Sequence, residues 1–401
     1  MATNEFLSVA RDLEDASRPR RKHPQGWEPG VDTARGVLTV EGGETPPSDW
    51  SEIIRELGLD PTAWTVDESA GVQVRTWDSG SKRCFYYRAT VEPLKSSETS
   101  DLNDLIRRVR GRKKTPQASS QSVRRSLVVC AADWQAGKGT HDRTGTEQLL
   151  ARLDTLRDAV PLRVKELKRA GTPVSHIALI GLGDLVEGCS EHYAMQTYQT
   201  ELDVREQARL VRRTLVDLIG AWVPLVPEFT VGCVPGNHGQ RRKNGRAFTS
   251  WGDNADVEAF EVVREALAHN PAVYGHIRYA IPDQEQTITL DLNGTVVGFA
   301  HGHQFGKGSG PQGKALAWWG SKAMAREPVG DSDVLVSGHY HHFQIHTEGV
   351  ADSPKGRTWM QCPALDPGSD WWEHQGGAPT QQGTLTFTTD ESGWDNVKLL
   401  R

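Results

Sequence analysis

Cysteine and methionine are scarce, with five and four copies in 401 residues. Cys84, Cys130, Cys189, Cys233 and Cys362 are odd in number and widely spaced, which excludes a disulfide framework. Three of them lie in apolar, strand-like runs and read as buried free thiols of a reducing compartment. Long apolar runs are missing too: none approaches the roughly 20 residues of a membrane span. Met1-Ala2-Thr3-Asn4-Glu5 has no apolar signal-peptide core, so a soluble cytoplasmic protein is expected. There is no strong charge of either sign. The net charge of −6 excludes a surface that traps polyanions as a whole, and any nucleic-acid contact must come from a local patch. Internal repeats and long low-complexity tracts are absent.

Tryptophan, by contrast, is plentiful: thirteen copies, with Trp134, Trp318, Trp319, Trp371 and Trp372 in polar surroundings. Some of these read as surface platforms and most as packing residues. The length suggests a large catalytic domain plus something smaller. Residues 1–25 are polar and basic and read as a loose arm. Residues 26–93 read as a small α+β module. In it, Asp49-Trp50 opens a helix through Leu57 that Gly58 stops, and Val72–Trp77 and Cys84–Val91 form a hairpin about the turn Asp78–Ser81. Residues 94–125 read as a basic linker, either a solvated tether or a contact to a phosphate backbone.

From Ser126 the pattern alternates. Strands are expected at Leu127–Ala132, His176–Leu182 and Phe229–Val234, with helices at Glu147–Ala170, Leu202–Trp222 and Asn254–Ala268 between and after them. Strands then dominate: Thr287–Leu292, Val296–Ala300, Val334–Ser337, Phe343–Thr347, Thr358–Gln361 and Gly383–Thr389. Parallel units followed by antiparallel strands predict two packed sheets with helices outside, over residues 126–401.

Five of these strands end in residues that bind metals. Asp133-Trp134-Gln135 follows the first and Gly183-Asp184 the second. Asn237-His238 follows the third, after Pro235-Gly236. Ala300-His301-Gly302-His303 and Gly338-His339-Tyr340-His341-His342 close the last two. Each cluster is weak alone, since an acid after a strand is commonly a helix cap. Five in order are specific. Carboxylate, amide oxygen and imidazole together suit a borderline-hard divalent ion. Two ions need one shared anion, and Asp184 is the natural bridge of a two-metal hydrolytic centre. A histidine outside the ligand set can then protonate the leaving group.

This order of motifs resembles the calcineurin-like metallophosphoesterases, whose motifs run D-x-H, GD-x-x-D, GNH, H and GH-x-H. The resemblance covers roughly residues 126–350 and implies a four-layer α/β-β/α sandwich. It also implies one ion held by Asp133, Gln135, Asp184 and His341 and another held by Asp184, Asn237, His301 and His339. His238 takes the place of the family's leaving-group histidine, and with Asp184 forms the catalytic pair. Gln135 stands where the family has histidine, which implies a weaker or harder ion there, and Glu187 stands where aspartate is common. His303 is the alternative to His301 as ligand and is otherwise placed on the substrate; His342 and His346 read as outer residues. The implied cofactors are two divalent ions, manganese first, with iron, zinc or magnesium as alternatives.

Asp133-Trp134-Gln135-Ala136-Gly137-Lys138 also resembles a segment of the SbcD-type DNA-repair nucleases. The layout of the whole chain looks like phosphoesterases encoded by actinobacterial phages, which would place it in a host cytoplasm. A basic loop carrying Arg241 and Arg242 follows His238. The expected function is therefore a metal-dependent nuclease or phosphodiesterase acting on DNA. The alternatives are a phosphodiesterase for nucleotides or cyclic nucleotides and a module that binds phosphate or DNA without turnover. No membrane partner is expected, and the oligomeric state is left open.

Overall fold

The computed structural model describes residues 22–33, 35–47, 49–61, 64–67, 70–78, 82–93, 97–114, 124–139, 144–189, 192, 196, 199–306, 308–350, 353–366 and 381–401. Most of the N-terminal arm, the turn at Ser79–Ser81, linker residues 115–123, and Trp371 and Trp372 lie outside these. The chain divides into two compact units, Met1–Asp101 and Leu102–Arg401.

The first unit is a five-stranded antiparallel sheet. Its strands are β1 (Gly30–Asp32), β2 (Val37–Gly42), β3 (Trp64–Asp67), β4 (Gln73–Asp78) and β5 (Arg83–Pro93). β5 is long enough to pair with β2 along one edge and with both β3 and β4 along the other. The expected helix is α1 (Ser51–Glu56), and Gly58, at φ +82°, takes the left-handed turn that ends it. Leu38, Trp50, Ile54, Val66, Tyr87, Ala89 and Val91 form its core.

The stretch read as a linker contains α2 (Ser97–Gly111). Leu105 and Val109 of this helix are buried in the core of the second unit, so this part of the stretch is packed structure. Its arginines are engaged: Arg108 and Arg112 reach Asp217 at 3.1 and 3.8 Å.

The second unit has two mixed sheets. In the first, β6 (Ser126–Ala131), β7 (His176–Gly181), β8 (Glu228–Cys233) and β11 (Ile277–Ala280) run parallel; β17 (Thr384–Asp390) and β18 (Gly393–Leu400) extend it antiparallel beyond β6. Two-residue strands β9 (Arg242–Lys243) and β10 (Arg246–Ala247) form a separate ribbon. In the second sheet, β13 (Val296–Ala300), β14 (Val334–Ser337) and β16 (Ser353–Gln361) are parallel, flanked by β12 (Thr287–Asp291) and β15 (Gln344–Val350).

Alternation along β6 shows how the layers form. Leu127, Val129 and Ala131 face a core shared with α3 (Gly145–Arg169), α4 (Val204–Trp222) and α5 (Ala255–Leu267). Val128 and Cys130 face a second core with Val297, Phe299, Val334, Val336 and Met360 of the other sheet. The short helix α6 (Pro271–Tyr274) precedes β11. On the far face of the second sheet, Leu335 and Trp359 pack with Ala315 and Trp319 of α7 (Gly310–Met324). Trp319 and Trp134 are buried, which makes both packing residues and not platforms. No disulfide is present, and four of the five thiols are buried. No described helix is long and apolar enough to cross a membrane.

Candidate metal centre

The centre is assembled where the strands stop. β6, β7 and β8 each leave the sheet one residue before the sequence pattern ends, and the chain turns at once. Asp133, Gln135, Asp184, His339 and His341 have φ between 45° and 75°. Side chains other than glycine seldom adopt this left-handed region, and such residues cluster at functional sites. Two glycines let the turns close on one another. A Cβ on Gly236 would lie 2.1 Å from the Asp184 amide nitrogen and 2.2 Å from its Oδ1, and one on Gly338 would lie 2.7 Å from Asp133 Oδ2.

Asp184, Asn237 and His301 converge. His301 Nδ1 donates to the Leu182 carbonyl at 2.7 Å, which leaves Nε2 as the free nitrogen. That nitrogen lies 2.9 Å from Asp184 Oδ2 and 3.0 Å from Asn237 Oδ1. The Asn237 amide nitrogen meets His192 Nε2 at 2.9 Å, so its oxygen is the atom turned to His301. Burial lowers the His301 pKa, but Asp184 outweighs it and raises it to about 9, so a proton on Nε2 joins these atoms at the place a cation could take. Asp184, His301 and His339 offer ligand atoms all within 4.8 Å of one another. Burial, with His301 next to it, holds His339 down to about 2, so its imidazole is neutral and able to ligate. Burial alone would raise the Asp184 carboxyl, but His301 and His238 hold it well below the usual range. The donor set fits one divalent ion with nitrogen and oxygen ligands.

No protein-family model and no curated protein sequence matches the chain. Among solved structures it is similar to a single mutant of Vps29 from Entamoeba histolytica, at 14% identity over 66% of this chain and 87% of that one, with a TM-score of 0.30. It is similar to Vps29 from Cryptosporidium parvum, at 13% identity over 69% and 97%, with a TM-score of 0.28. A predicted phosphoesterase from Streptococcus pneumoniae TIGR4 is similar at 12% identity over 67% and 86%, with a TM-score of 0.27. At these scores the chemistry rests on the residues of the site itself.

His238 lies beside the converging ligands. Its backbone N–H donates to Asp184 Oδ1 at 2.7 Å, and its Nδ1 meets the Glu187 carbonyl at 2.8 Å. Burial lowers its pKa, but Asp184 and Glu187 outweigh burial and raise it to about 9. Gln135 Nε2 approaches the His238 Nε2 to 3.2 Å. That contact is a hydrogen bond only when His238 is neutral, so protonation frees Nε2 for another oxygen. The His192 ring packs against His238 with centroids 4.2 Å apart and the planes tilted by 46°.

The second expected ligand set is arranged differently. His341 Nε2 lies 3.3 Å from Asp133 Oδ1, which makes no hydrogen bond, and His341 Nδ1 lies 3.6 Å from Asp366 Oδ2. Gln135 Oε1 accepts from Lys138 Nζ at 2.6 Å. The same ammonium pairs with the buried Asp366 carboxylate. His339 joins the two sets, its N–H donating to Asp133 Oδ2 at 3.0 Å.

Of the expected substrate residues, Arg242 donates to Gln240 Oε1 at 2.9 Å, and Gln240 Nε2 lies 3.5 Å from His303 Nε2 at the edge of the site. Arg241 turns to Asp253 and Glu258, at 3.4 and 3.0 Å, which compensate its charge. His342 and His346 bond to Tyr340 O and Glu348, outside the ligand cluster.

Sequence reasoning missed four residues. Asp256 is buried and accepts the N–H groups of Asp184, Leu185, Val186 and Gly236, so it clamps two ligand turns together. Its position two residues after the helix cap Asn254 reads as ordinary first-turn acid. Asp366 comes five residues past the end of β16, too far to register as a strand-end ligand. Lys138 and His192 had no signal beyond closeness to a cluster.

Proposed function

We propose that the chain is a metal-dependent phosphoester hydrolase of the metallophosphoesterase type, with the layered cores of its two sheets read as the four-layer sandwich of that fold. The observation that carries this is the meeting of Asp184 Oδ2, Asn237 Oδ1 and His301 Nε2 beside His238. Asp184, Asn237, His301 and His339 would hold the ion. When bound, such an ion polarises a phosphoryl oxygen and lowers the pKa of water, and manganese, iron or zinc suits these donors. His238 supplies the proton: the Glu187 carbonyl fixes its Nδ1, and its Nε2 hands a proton to the departing oxygen. Asp256 keeps the Asp184 and Gly236 turns in register.

The finer reading is a nuclease that acts on DNA phosphodiesters. The loop after His238 supports it, because Lys243, Arg246, Phe248 and Trp251 are exposed there together. Cations track a phosphate backbone and exposed rings stack on unpaired bases. Phe248 and Trp251 thus favour single-stranded over duplex substrate.

The test is incubation of purified protein with manganese and, separately, bis-p-nitrophenyl phosphate, single-stranded DNA and duplex DNA. Cleavage of single-stranded DNA and of the nitrophenyl ester is expected, and both should vanish in Asp184→Asn. Cleavage of the ester alone would remove the nucleic-acid reading. A protein that takes up manganese and cleaves nothing would be a binding module and would sink the hydrolase.

A further inference from the structure

The second ligand set already contains a cation. Gln135 Oε1, the atom expected to bind an ion, accepts from Lys138 Nζ at 2.6 Å. Asp366 completes the grip on the ammonium, and the side chains of Lys138 and Asp366 are only 11% and 3% exposed. A buried carboxylate is costly without a partner, and Lys138 is the nearest one. Burial alone would raise the Asp366 carboxyl, but Lys138 and His341 hold it well below the ordinary range. The Gln135 oxygen therefore cannot swing to a metal without abandoning Lys138.

We propose that the Lys138 ammonium takes the place of the second metal ion, so that the chain binds one divalent ion at Asp184, Asn237, His301 and His339, and Asp133, Gln135 and His341 bind none. This rests on the hydrolase reading for the first ion. Lys138 then supplies positive charge on the Asp133 side of the centre without occupying coordination space. Gln135 becomes a positioning residue that holds the Lys138 ammonium through its amide oxygen.

Metal content decides the question without any activity assay. The apo-protein is loaded with excess manganese, desalted, and counted by native mass spectrometry, with calorimetric titration in parallel. One ion per wild-type chain is expected. The double variant Lys138→Met/Gln135→His removes the ammonium and restores the imidazole, so it should take up a second ion. Two ions in the wild type, or an unchanged count in a folded double variant, would overturn this inference alone. If the double variant does not fold, the wild-type count still decides. Binding of no ion would overturn the hydrolase reading beneath it.

Discussion

At the scale of single residues, the centre is built from side chains in costly backbone conformations. Asp133, Gln135, Asp184, His339 and His341 all have positive φ, where a non-glycine residue costs on the order of 1–3 kcal/mol. Gly236 and Gly338 leave no room for relief, so the carboxylates and imidazoles are presented at fixed positions. His238 can be varied with the Asp184 turn in place, because its backbone N–H, which a substitution keeps, makes the 2.7 Å contact to Asp184 Oδ1, while its Nε2 lies 4.0 Å from Asp184 Oδ2. His238→Ala should keep the ion and lose kcat/KM on DNA by about two to four decades, the size of a general-acid effect. On a nitrophenyl ester, whose leaving group needs no proton, the loss should be smaller by at least about one decade. Steady-state kinetics on both substrates checks this, and equal losses would reduce His238 to a binding residue. At this scale the convergence of Asp184, Asn237, His301 and His339 was legible, since each stands directly after an apolar run or one turn later. Lys138 was not: its ammonium pairs with Asp366, which lies 228 positions away in the chain.

At the scale of elements, the turns matter more than the strands that carry them. Asn254 caps α5 by accepting from the Asp256 N–H at 2.9 Å, and its own amide donates to Gly236 O at 2.8 Å. Asp256 in turn accepts from the Asp184 and Gly236 turns. One helix N-terminus therefore registers two ligand loops. Asp256→Ala would leave four buried N–H groups to find partners, each at a cost of about 1–3 kcal/mol if none is found. A loss of at least about 3 kcal/mol in urea unfolding is expected, together with weaker metal affinity in calorimetric titration. A variant as stable as wild type that binds metal equally well would show that water replaces the carboxylate. The strands and helices around these turns were largely legible, because apolar runs in β6, β7 and β8 and the helical stripes of α3, α4 and α5 are strong signals. Several were not, among them α2, β11, α7 and β18. α7 contains Gly310, Pro311, Gly313 and Gly320, which weaken any helical pattern, and packing of Ala315 and Trp319 on the second sheet overrides that composition. β18 closes the first sheet with mostly half-buried residues and gives no clean alternation.

At the scale of the whole second unit, the first sheet has one end that carries the candidate metal centre and one that is closed off. The closed end holds a buried polar chain across the sheets: Asn293 donates to Ser126 Oγ at 2.9 Å, Ser126 meets His176 Nδ1 at 2.9 Å, and His176 Nε2 meets Thr230 Oγ1 at 2.8 Å. Burial, helped by Arg278, lowers the His176 pKa from 6.5 to about 4. The folded state thus binds fewer protons than the unfolded state between these values, and stability must fall as pH drops from about 6.5 toward 4. By pH 5 the unfolded histidine is mostly protonated and the folded one is not, a difference worth about 2 kcal/mol. His176→Gln keeps a hydrogen-bonding side chain but does not titrate. The gap in unfolding free energy between wild type and His176→Gln should therefore shift by about 2 kcal/mol in favour of the variant between pH 7.5 and pH 5. Taking the difference cancels the many other groups that titrate in that window, including the histidines of the metal centre. Urea unfolding of both proteins at the two pH values measures it. A gap that stays constant with pH would mean that His176 titrates alike in the folded and unfolded states and that its burial costs the charged form nothing.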